Sequence, residues 1–313
     1  MSERDVWIRE VGTRDGLQSI ATVFPTAAKL AWIEREAAAG VPEIEVGSFV
    51  PPRLLPQMAD TAAVVAGARR IAGLRVAALV PNLRGAENAF AAGVDQVNYV
   101  LSVSEAHSQA NVRKSVAQAI DDFAAIIACR AAHPEYAHVR VASGLATAFG
   151  CTIAGTVAIG DVVAAAERLV ALGADELVVA DTVGYGNPAQ CRAVFRAVLA
   201  VAGAVPVGAH FHDTRGLGLA NVDAALDVGV RRFDASLGGL GGCPYAPGAS
   251  GNIVTDDLVF MLEAMGLRTG IDLDALLAAR ALMESYLDGE PTHGAIVTAG
   301  PPKGFVAASS AAR

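Results

Sequence analysis

The stretch DVVAAAERLVALGADELVVADT, residues 161–182, contains the pattern that decides the fold. Its first half is rich in Ala, has apolar residues at helical spacing and ends at Gly173, and its second half, ELVVADT, is a short apolar run. A glycine just past a helix provides a left-handed cap without a Cβ penalty, and a continuous apolar run is typical of a strand buried on both faces. The stretch therefore predicts a helix followed by a buried strand.

The same pattern recurs on both sides of this stretch. Apolar runs follow further glycines, namely EIEVGSF, RVAALVP, QVNYVLS, VPVGAHFH and RFDASLGG after Gly40, Gly73, Gly93, Gly203 and Gly229. Two more strands are predicted in VWIREVG and HVRVASGLATAF. Eight βα units indicate an α/β fold, a (β/α)8 barrel over residues 1–270 whose last helix lies near 256–265. An open doubly wound sheet has the same alternation, although no GxGxxG follows the first strand, which excludes its dinucleotide-binding version.

Residues 271–313 exceed what a barrel needs. IDLDALLAARALMESYLDG predicts an added helix, and PPKGFVAASSAAR is a Gly/Pro-containing tail. We expect this short C-terminal helical extension to pack on or near the barrel.

Composition excludes several classes of protein. The 313 residues are 53% hydrophobic and 18% charged, with a net charge of −8 and no long basic run, so we expect no nucleic-acid partner. No apolar run near the middle reaches the roughly 18 residues of a membrane span. The N-terminus has no signal or transit pattern, and the four cysteines are far apart, as in a protein with reduced thiols. We expect a cytoplasmic protein without a membrane partner.

Polar residues follow the predicted strands where a barrel places its chemistry, at their C-terminal ends. Strand 1 runs into TRDGLQ with Arg14 and Asp15, although an isolated RDG is more often a surface turn with a salt bridge. Strand 2 places Glu43 and Glu45 on one face. Because an unpaired carboxylate in an apolar context is costly, Glu45 needs a partner such as Arg14.

Strand 7 ends in AHFHDT, which indicates a metal site. His210 and His212 are two residues apart on a strand, so both imidazoles point the same way and can bind one ion, together with a carboxylate from another strand. Asp213 is predicted either to orient a histidine or to cap the following turn.

Strand 8 leads into SLGGLGGCPYAPGASGN, residues 236–252, whose glycines are typical of a lid or ligand loop, or of an ordinary flexible loop. Cys243 is a reactive thiol or an inert small residue, and Asn252 is an N-cap or an oxygen ligand. Strands 1, 2, 7 and 8 are contiguous in a closed barrel. All these residues are therefore expected on one arc of one mouth.

These motifs resemble the hydroxymethylglutaryl-CoA lyases of the DRE-TIM metallolyase family over residues 6–305. EVGTRDGLQ, IEVGSFVPPRLLPQMAD, SVSE, the HxHDT strand and SLGGLGGCPYAPGASGN carry the resemblance, with Leu237 and Gly238 as conservative departures. It implies a metal-dependent retro-Claisen cleavage of 3-hydroxy-3-methylglutaryl-CoA to acetoacetate and acetyl-CoA, in a protein that forms a homodimer.

The resemblance also implies roles for individual residues. Mg²⁺ or Mn²⁺ would be held by Asp15, His210, His212 and Asn252. Arg14 would stabilise the enolate, and Glu45 would support Arg14 and the surroundings of the metal. Cys243 would lie on the lid as a candidate acid, with Asp15 and His210 as candidate bases. The remaining implied contacts are to the acyl-CoA substrate, from Gln18, Asp181 and Arg53.

Two segments depart from the family pattern at strand ends, CTIAG at 151–155 and RGL at 215–217. They leave open a related 3-hydroxy-3-alkylglutaryl-CoA or a citramalyl-type thioester as substrate. The sequence also leaves open an aldolase or condensing enzyme of the same family acting on 2-oxo acids, a non-catalytic acyl-CoA-binding barrel, and an iron oxygenase with two histidines and one carboxylate.

Overall fold

The computed structural model describes residues 4–241 and 251–311. Eight parallel strands form a closed barrel in sequence order, and the last strand pairs with the first. This confirms the predicted (β/α)8 barrel and excludes the open sheet. The strands are β1 (Trp7–Glu10), β2 (Glu43–Ser48), β3 (Arg75–Val80), β4 (Gln96–Ser102), β5 (Arg140–Ala146), β6 (Glu176–Asp181), β7 (Val207–Phe211) and β8 (Arg232–Ala235).

Helices follow each strand and cover the outside of the barrel. Within the described ranges, two helices follow β4, and three helices follow the one that closes the eighth unit. They are α1 (Thr26–Ala39), α2 (Thr61–Ala68), α3 (Leu83–Ala92), α4 (Glu105–Val112), α5 (Val116–Ala132), α6 (Ile159–Ala171), α7 (Pro188–Ala202), α8 (Gly218–Asp227), α9 (Thr255–Ala264), α10 (Leu273–Glu284), α11 (Ile296–Ala299) and α12 (Ala308–Ala311).

Local sequence signals set the helix ends. Gly40 ends α1 with φ of 104°, as the glycine pattern predicts, and a Cβ there would lie 2.3 Å from the Gly270 carbonyl oxygen. At the start of α5, Ser115 and Gln118 form a capping box.

The apolar core lies between the strands and the helices, with Trp32, Ile33 and Phe195 fully buried. The inside of the barrel is instead charged near its N-terminal end. Arg9 donates to Glu43 Oε1 at 2.6 Å and to Glu176 Oε1 at 2.5 Å. Branched apolar residues usually fill such barrels, so this ionic layer is a departure from the common pattern.

The C-terminal extension contacts the barrel helices. Helix α10 packs against α1, and its Arg280 donates to Asp256 Oδ2 of α9 at 2.7 Å. Further along, Phe305 lies against Phe260, and Ser309 donates to Glu263 Oε1 at 2.6 Å. Among residues 4–241 and 251–311, no helix is both long and apolar enough to cross a membrane.

Candidate functional site

The turn that follows β1 places two charged side chains at the mouth of the barrel. Residues Gly12–Gly16 form one π-helical turn in which the Asp15 amide donates to the Val11 carbonyl at 2.6 Å. Arg14 and Asp15 are only 8% and 6% exposed. The interpretation of RDG as a surface turn is therefore wrong.

The Arg14 guanidinium is held by two carboxylates. Its Nε donates to Glu45 Oε2 and its Nη1 donates to Asp15 Oδ1 at 2.5 Å. The predicted pairing of Glu45 with Arg14 is thus present. Asn98 of β4 donates to the other oxygen of Glu45 at 2.7 Å, which fixes the carboxylate from behind. Burial lowers the pKa of Arg14, but Glu45 and Asp15 outweigh it and raise the pKa above its usual value.

Asp15 lies at the centre of the polar cluster. Gln18 donates to its Oδ1 and Asn252 donates to its Oδ2, both at 2.7 Å. Burial alone would raise the pKa of Asp15, but Arg14 and the two nearby histidines hold it well below its usual range. The side chain is therefore an anionic carboxylate, the form that binds a cation.

His210 and His212 face Asp15 from the end of β7. Their Nε2 atoms lie 4.0 Å and 3.6 Å from Asp15 Oδ2. One ligand atom from each of the three residues lies within 4.8 Å of the others. The two-residue spacing on the strand thus brings both imidazoles to one point, as the sequence predicts.

Asp234 of β8 is a partner of His210 that sequence reasoning missed. Its Oδ2 lies 3.2 Å from His210 Nδ1. Burial alone would lower the pKa of His210, but the Asp234 and Asp15 carboxylates raise it above its usual value. Asp213, which the sequence allowed either to orient a histidine or to cap a turn, accepts from the Gly218 amide at 2.7 Å, at the start of α8.

The two ends of the glycine-rich loop meet beside Asp15. Gly241 has φ of 119°, and a Cβ there would lie 2.6 Å from Asn252 Nδ2. Asn252 donates to the Leu240 carbonyl as well as to Asp15. Because α9 begins at Thr255 without a side-chain cap, the N-cap interpretation of Asn252 is wrong. Cys243 lies outside the described residues.

Of the further predicted substrate contacts, Asp181 lies beside the cluster, where its carbonyl accepts from the His212 amide at 3.4 Å. Asp181 accepts from the amides of Tyr185 and Gly186, both at 2.9 Å, and so closes the turn after β6. Burial raises its pKa above the usual value. Arg53 is exposed in the loop between β2 and α2.

The two segments that depart from the family pattern border one cavity. Its volume is about 500 Å³, and Gly150, Gly155, Tyr185 and Arg215 are among its lining residues. The Arg215 guanidinium lies 4.5 Å from the centre of the Tyr185 ring, and its Nη1 donates to the carbonyls of Val183 and Gly184. A fixed positive charge therefore borders this cavity.

The donor set fits a divalent cation. A carboxylate and two imidazoles suit ions of hard to borderline character. In the part of the chain that the structure describes, the buried Asn252 Oδ1 has no hydrogen-bond partner, although a buried amide oxygen normally has one. Asp15, His210 and His212 can hold the ion, and Asn252 Oδ1 is an oxygen donor beside them.

Comparison with known proteins identifies the family. The HMGL-like family model matches residues 5–283. The chain belongs to the HMGL-like family. A hydroxymethylglutaryl-CoA lyase of Bacillus subtilis is 41% identical over 92% of this chain and 95% of its own length. An (R)-citramalyl-CoA lyase of Chloroflexus aurantiacus is 42% identical over 95% of both chains.

A solved HMG-CoA lyase shares the architecture. The HMG-CoA lyase of Acinetobacter baumannii, in complex with coenzyme A and 3-methylmalate, superposes with a TM-score of 0.90 at 39% identity and covers 98% of this chain and 99% of its own. The barrel described here is thus that of a carbon–carbon lyase family, as the motifs predict.

Proposed function

We propose that this protein cleaves 3-hydroxy-3-methylglutaryl-CoA to acetoacetate and acetyl-CoA in a metal-dependent retro-Claisen reaction. The observation that carries the proposal is the meeting of Asp15, His210 and His212 within 4.8 Å, beside the Arg14 guanidinium, in a chain of the HMGL-like family. Such a site combines ligands for a cation with a fixed positive charge for a developing oxyanion.

The reaction moves one proton off the substrate and one onto a product. A base takes the proton of the tertiary C3 hydroxyl, the C3–O electrons form the ketone of acetoacetate, and the C2–C3 bond breaks. Its electron pair goes to the thioester enolate, which an acid then protonates at C2 to give acetyl-CoA. When bound, a divalent cation lowers the pKa of the hydroxyl, as it does for water.

The residues of the cluster divide this work. Arg14 stabilises the enolate oxygen, and Glu45 keeps the guanidinium in place by accepting from its Nε. Asp15 and His210 are the candidate bases for the hydroxyl proton; Asp15 Oδ2 and His210 Nε2 face each other at 4.0 Å in the cluster. We assign the acid role to Cys243, and substrate contacts to Gln18, Asp181 and Arg53.

The remaining properties are proposed on family grounds. We propose Mg²⁺ or Mn²⁺ as the ion, held by Asp15, His210, His212 and Asn252, since carboxylate and amide oxygens suit these cations. The substrate is an acyl-CoA, and we propose a cytoplasmic homodimer.

Product analysis tests the reaction. The purified protein is incubated with a panel of 3-hydroxyacyl-CoA thioesters, with and without EDTA, and with Mg²⁺, Mn²⁺ or Fe²⁺ added back. We expect acetoacetate and acetyl-CoA from 3-hydroxy-3-methylglutaryl-CoA, a loss of activity with EDTA, and recovery with Mg²⁺ or Mn²⁺. Cleavage that persists after complete chelation, or none with any thioester, contradicts the proposal.

A second candidate substrate is citramalyl-CoA, which the same bond cleavage converts to pyruvate and acetyl-CoA. The 42% identity to an (R)-citramalyl-CoA lyase favours it. The same panel separates the two candidates, because kcat/KM for the two thioesters gives their order directly.

A further inference from the structure

Below the candidate site, one carboxylate ties together three segments of the chain. Glu10, the last residue of β1, is fully buried. Its Oε1 accepts from the amides of Gly12 at 2.7 Å and Leu237 at 2.9 Å, and its Oε2 accepts from the Thr255 hydroxyl at 2.6 Å. We call these three hydrogen bonds the Glu10 clasp.

Each segment held by the Glu10 clasp leads to the site. Gly12 begins the turn with Arg14 and Asp15, and Leu237 begins the approach to the glycine-rich loop. Thr255 follows Asn252 by three residues, where the chain leaves that loop. The clasp therefore joins the turn that holds Asp15 to the segment that holds Asn252, although Glu10 itself reaches none of the predicted metal ligands.

A second buried carboxyl lies beside the first. Glu36 of α1 is also fully buried, and in the ranges that the structure describes neither of its oxygens accepts a hydrogen bond. A buried carboxylate without donors is costly, so Glu36 is neutral. Burial raises the pKa of Glu36 well above its usual value, and neighbouring Glu10 raises it further. Burial also raises the pKa of Glu10, to about 7, while its three donors lower it, so Glu10 is the more acidic carboxyl of the pair.

We propose that Glu10 is a positioning residue, and that the neutral Glu36 carboxyl supports it by donating a hydrogen bond to Glu10 while keeping its proton. The close packing around Gly12 agrees with this, since a Cβ there would lie 2.6 Å from Glu10 Oε1 and 2.9 Å from the Trp32 ring. The inference rests on the proposed function, because the role proposed for the clasp is to hold the metal-binding residues in place.

Four substitutions test the clasp. Glu10→Gln keeps the size of the side chain and removes the charge, and Thr255→Val removes one of the three hydrogen bonds at nearly constant volume. Glu36→Gln keeps a donor beside Glu10, whereas Glu36→Leu removes it. The apparent Kd for Mn²⁺ is measured by calorimetry on the metal-free full chain, after circular dichroism and thermal melting have shown that each variant is folded. Acyl-CoA kinetics are then measured.

We expect Glu10→Gln to weaken Mn²⁺ binding about 10-fold, in the range known for residues behind metal ligands, and to lower kcat with little change in KM. Glu36→Leu weakens Mn²⁺ binding in the same direction, and Glu36→Gln stays close to wild type. A folded Glu10→Gln variant with the wild-type Kd, or equal values for the two Glu36 variants, overturns the inference.

Two further outcomes keep the experiment decisive. If Glu10→Gln does not fold, Thr255→Val decides, because a weaker Mn²⁺ affinity supports the clasp and an unchanged one refutes it. If the wild-type protein cleaves no thioester, the proposed function fails, whereas the Mn²⁺ affinities still decide whether the clasp organises a metal site.

Discussion

His210 Nδ1 lies 3.2 Å from Asp234 Oδ2, and this contact turns the other ring nitrogen, Nε2, towards Asp15. Asp234 is held in turn by Arg9, whose Nη1 lies 3.6 Å from its Oδ1. A chain of charges therefore runs from the inside of the barrel to the mouth. A carboxylate that binds one nitrogen of a histidine fixes the orientation and the tautomer of the ring. Asp234 therefore sets the orientation in which His210 Nε2 faces a cation.

Substitution of Asp234 by Asn is expected to weaken metal binding. The change removes the negative charge that His210 and Arg9 share, so the imidazole loses its preferred orientation. We expect the Kd for Mn²⁺ to rise about 10- to 100-fold, measured by calorimetry on the folded protein. The melting temperature is also expected to fall, because Arg9 loses one of its three carboxylates.

Asp213→Asn is the matched control for this prediction. Asp213 follows the same histidine pair in the sequence, but its Oδ1 accepts from the Gly218 amide at the start of α8. We expect a much smaller change in Mn²⁺ affinity than for Asp234→Asn. An equal loss in both variants would mean that Asp234 has no special relation to His210.

The two aspartates also show how far sequence reasoning reaches. The barrel, the turn with Arg14 and Asp15, and the common direction of His210 and His212 follow from local periodicity and the order of strands. Local patterns do not show whether Asp213 or Asp234 is the partner of His210, because this depends on which side chains point inward from two neighbouring strands. Asp234 stands in RFDASLGG without any motif, and only the pairing of β7 with β8 brings it to His210.

The buried partners of the site were missed for a similar reason. Asn98 supports Glu45 from β4, two strands away from β2, and Glu10 faces outward towards Glu36 of α1. Glu10 opens the motif EVGTRDGLQ and Asn98 stands in the strand QVNYVLS, but nothing in either local pattern names the distant partner. Polar residues in predicted buried strands are a usable signal, since each one must find a partner in the folded chain.

Substitution of Arg14 by Gln is expected to reduce turnover and spare binding. The guanidinium stabilises the proposed enolate, which exists only after bond cleavage, so its loss raises the barrier without changing the affinity for substrate. We expect kcat to fall by at least about 10²-fold, with little change in KM or in the Kd for Mn²⁺. Near-normal kcat would remove Arg14 from the mechanism.

Arg232→Gln is the control for this prediction, because Arg232, like Arg14, is bound by two carboxylates. Arg232 lies at the start of β8 and contacts Glu176 and Glu43, at the end of the barrel opposite the site. We expect this variant to melt at a lower temperature and to keep its kcat. A comparable fall in kcat would show that the effect at Arg14 is one of general stability.

The Asp5–Arg268 pair predicts a pH-dependent contribution to stability. Arg268 donates to both oxygens of Asp5 at 2.8 Å, and these bonds lower the pKa of Asp5 from 3.8 to about 2. A carboxyl whose pKa is lowered by folding stabilises the fold at pH values above its pKa in the unfolded chain. This stabilisation is lost as the pH falls through about 2. We expect Asp5→Asn to melt at a lower temperature than wild type at pH 7, with a difference that shrinks below about pH 4.

Asp121→Asn, at an exposed position of α5, is the control for that melting series. The Asp5 contact joins the chain before β1 to the segment after α9, whereas Asp121 lies on the outer face of a helix. We expect little change in melting temperature for this control at any pH. A constant Asp5→Asn difference from pH 7 to pH 3 would contradict the assigned titration.

Arg215 is expected to contribute to substrate affinity, and not to turnover. It borders the cavity of about 500 Å³ beside Tyr185, where two carbonyls and the aromatic ring hold its guanidinium. Acyl-CoA substrates carry carboxylate and phosphate groups, and an exposed ionic contact contributes about 1 kcal/mol. We expect Arg215→Gln to raise KM roughly 3- to 10-fold at constant kcat.

Arg192→Gln is the control for this prediction. It removes an arginine that pairs with Asp227, with Nη2 to Oδ2 at 2.9 Å, and should leave KM unchanged. Equal KM values for the two variants would place the acyl-CoA outside this cavity.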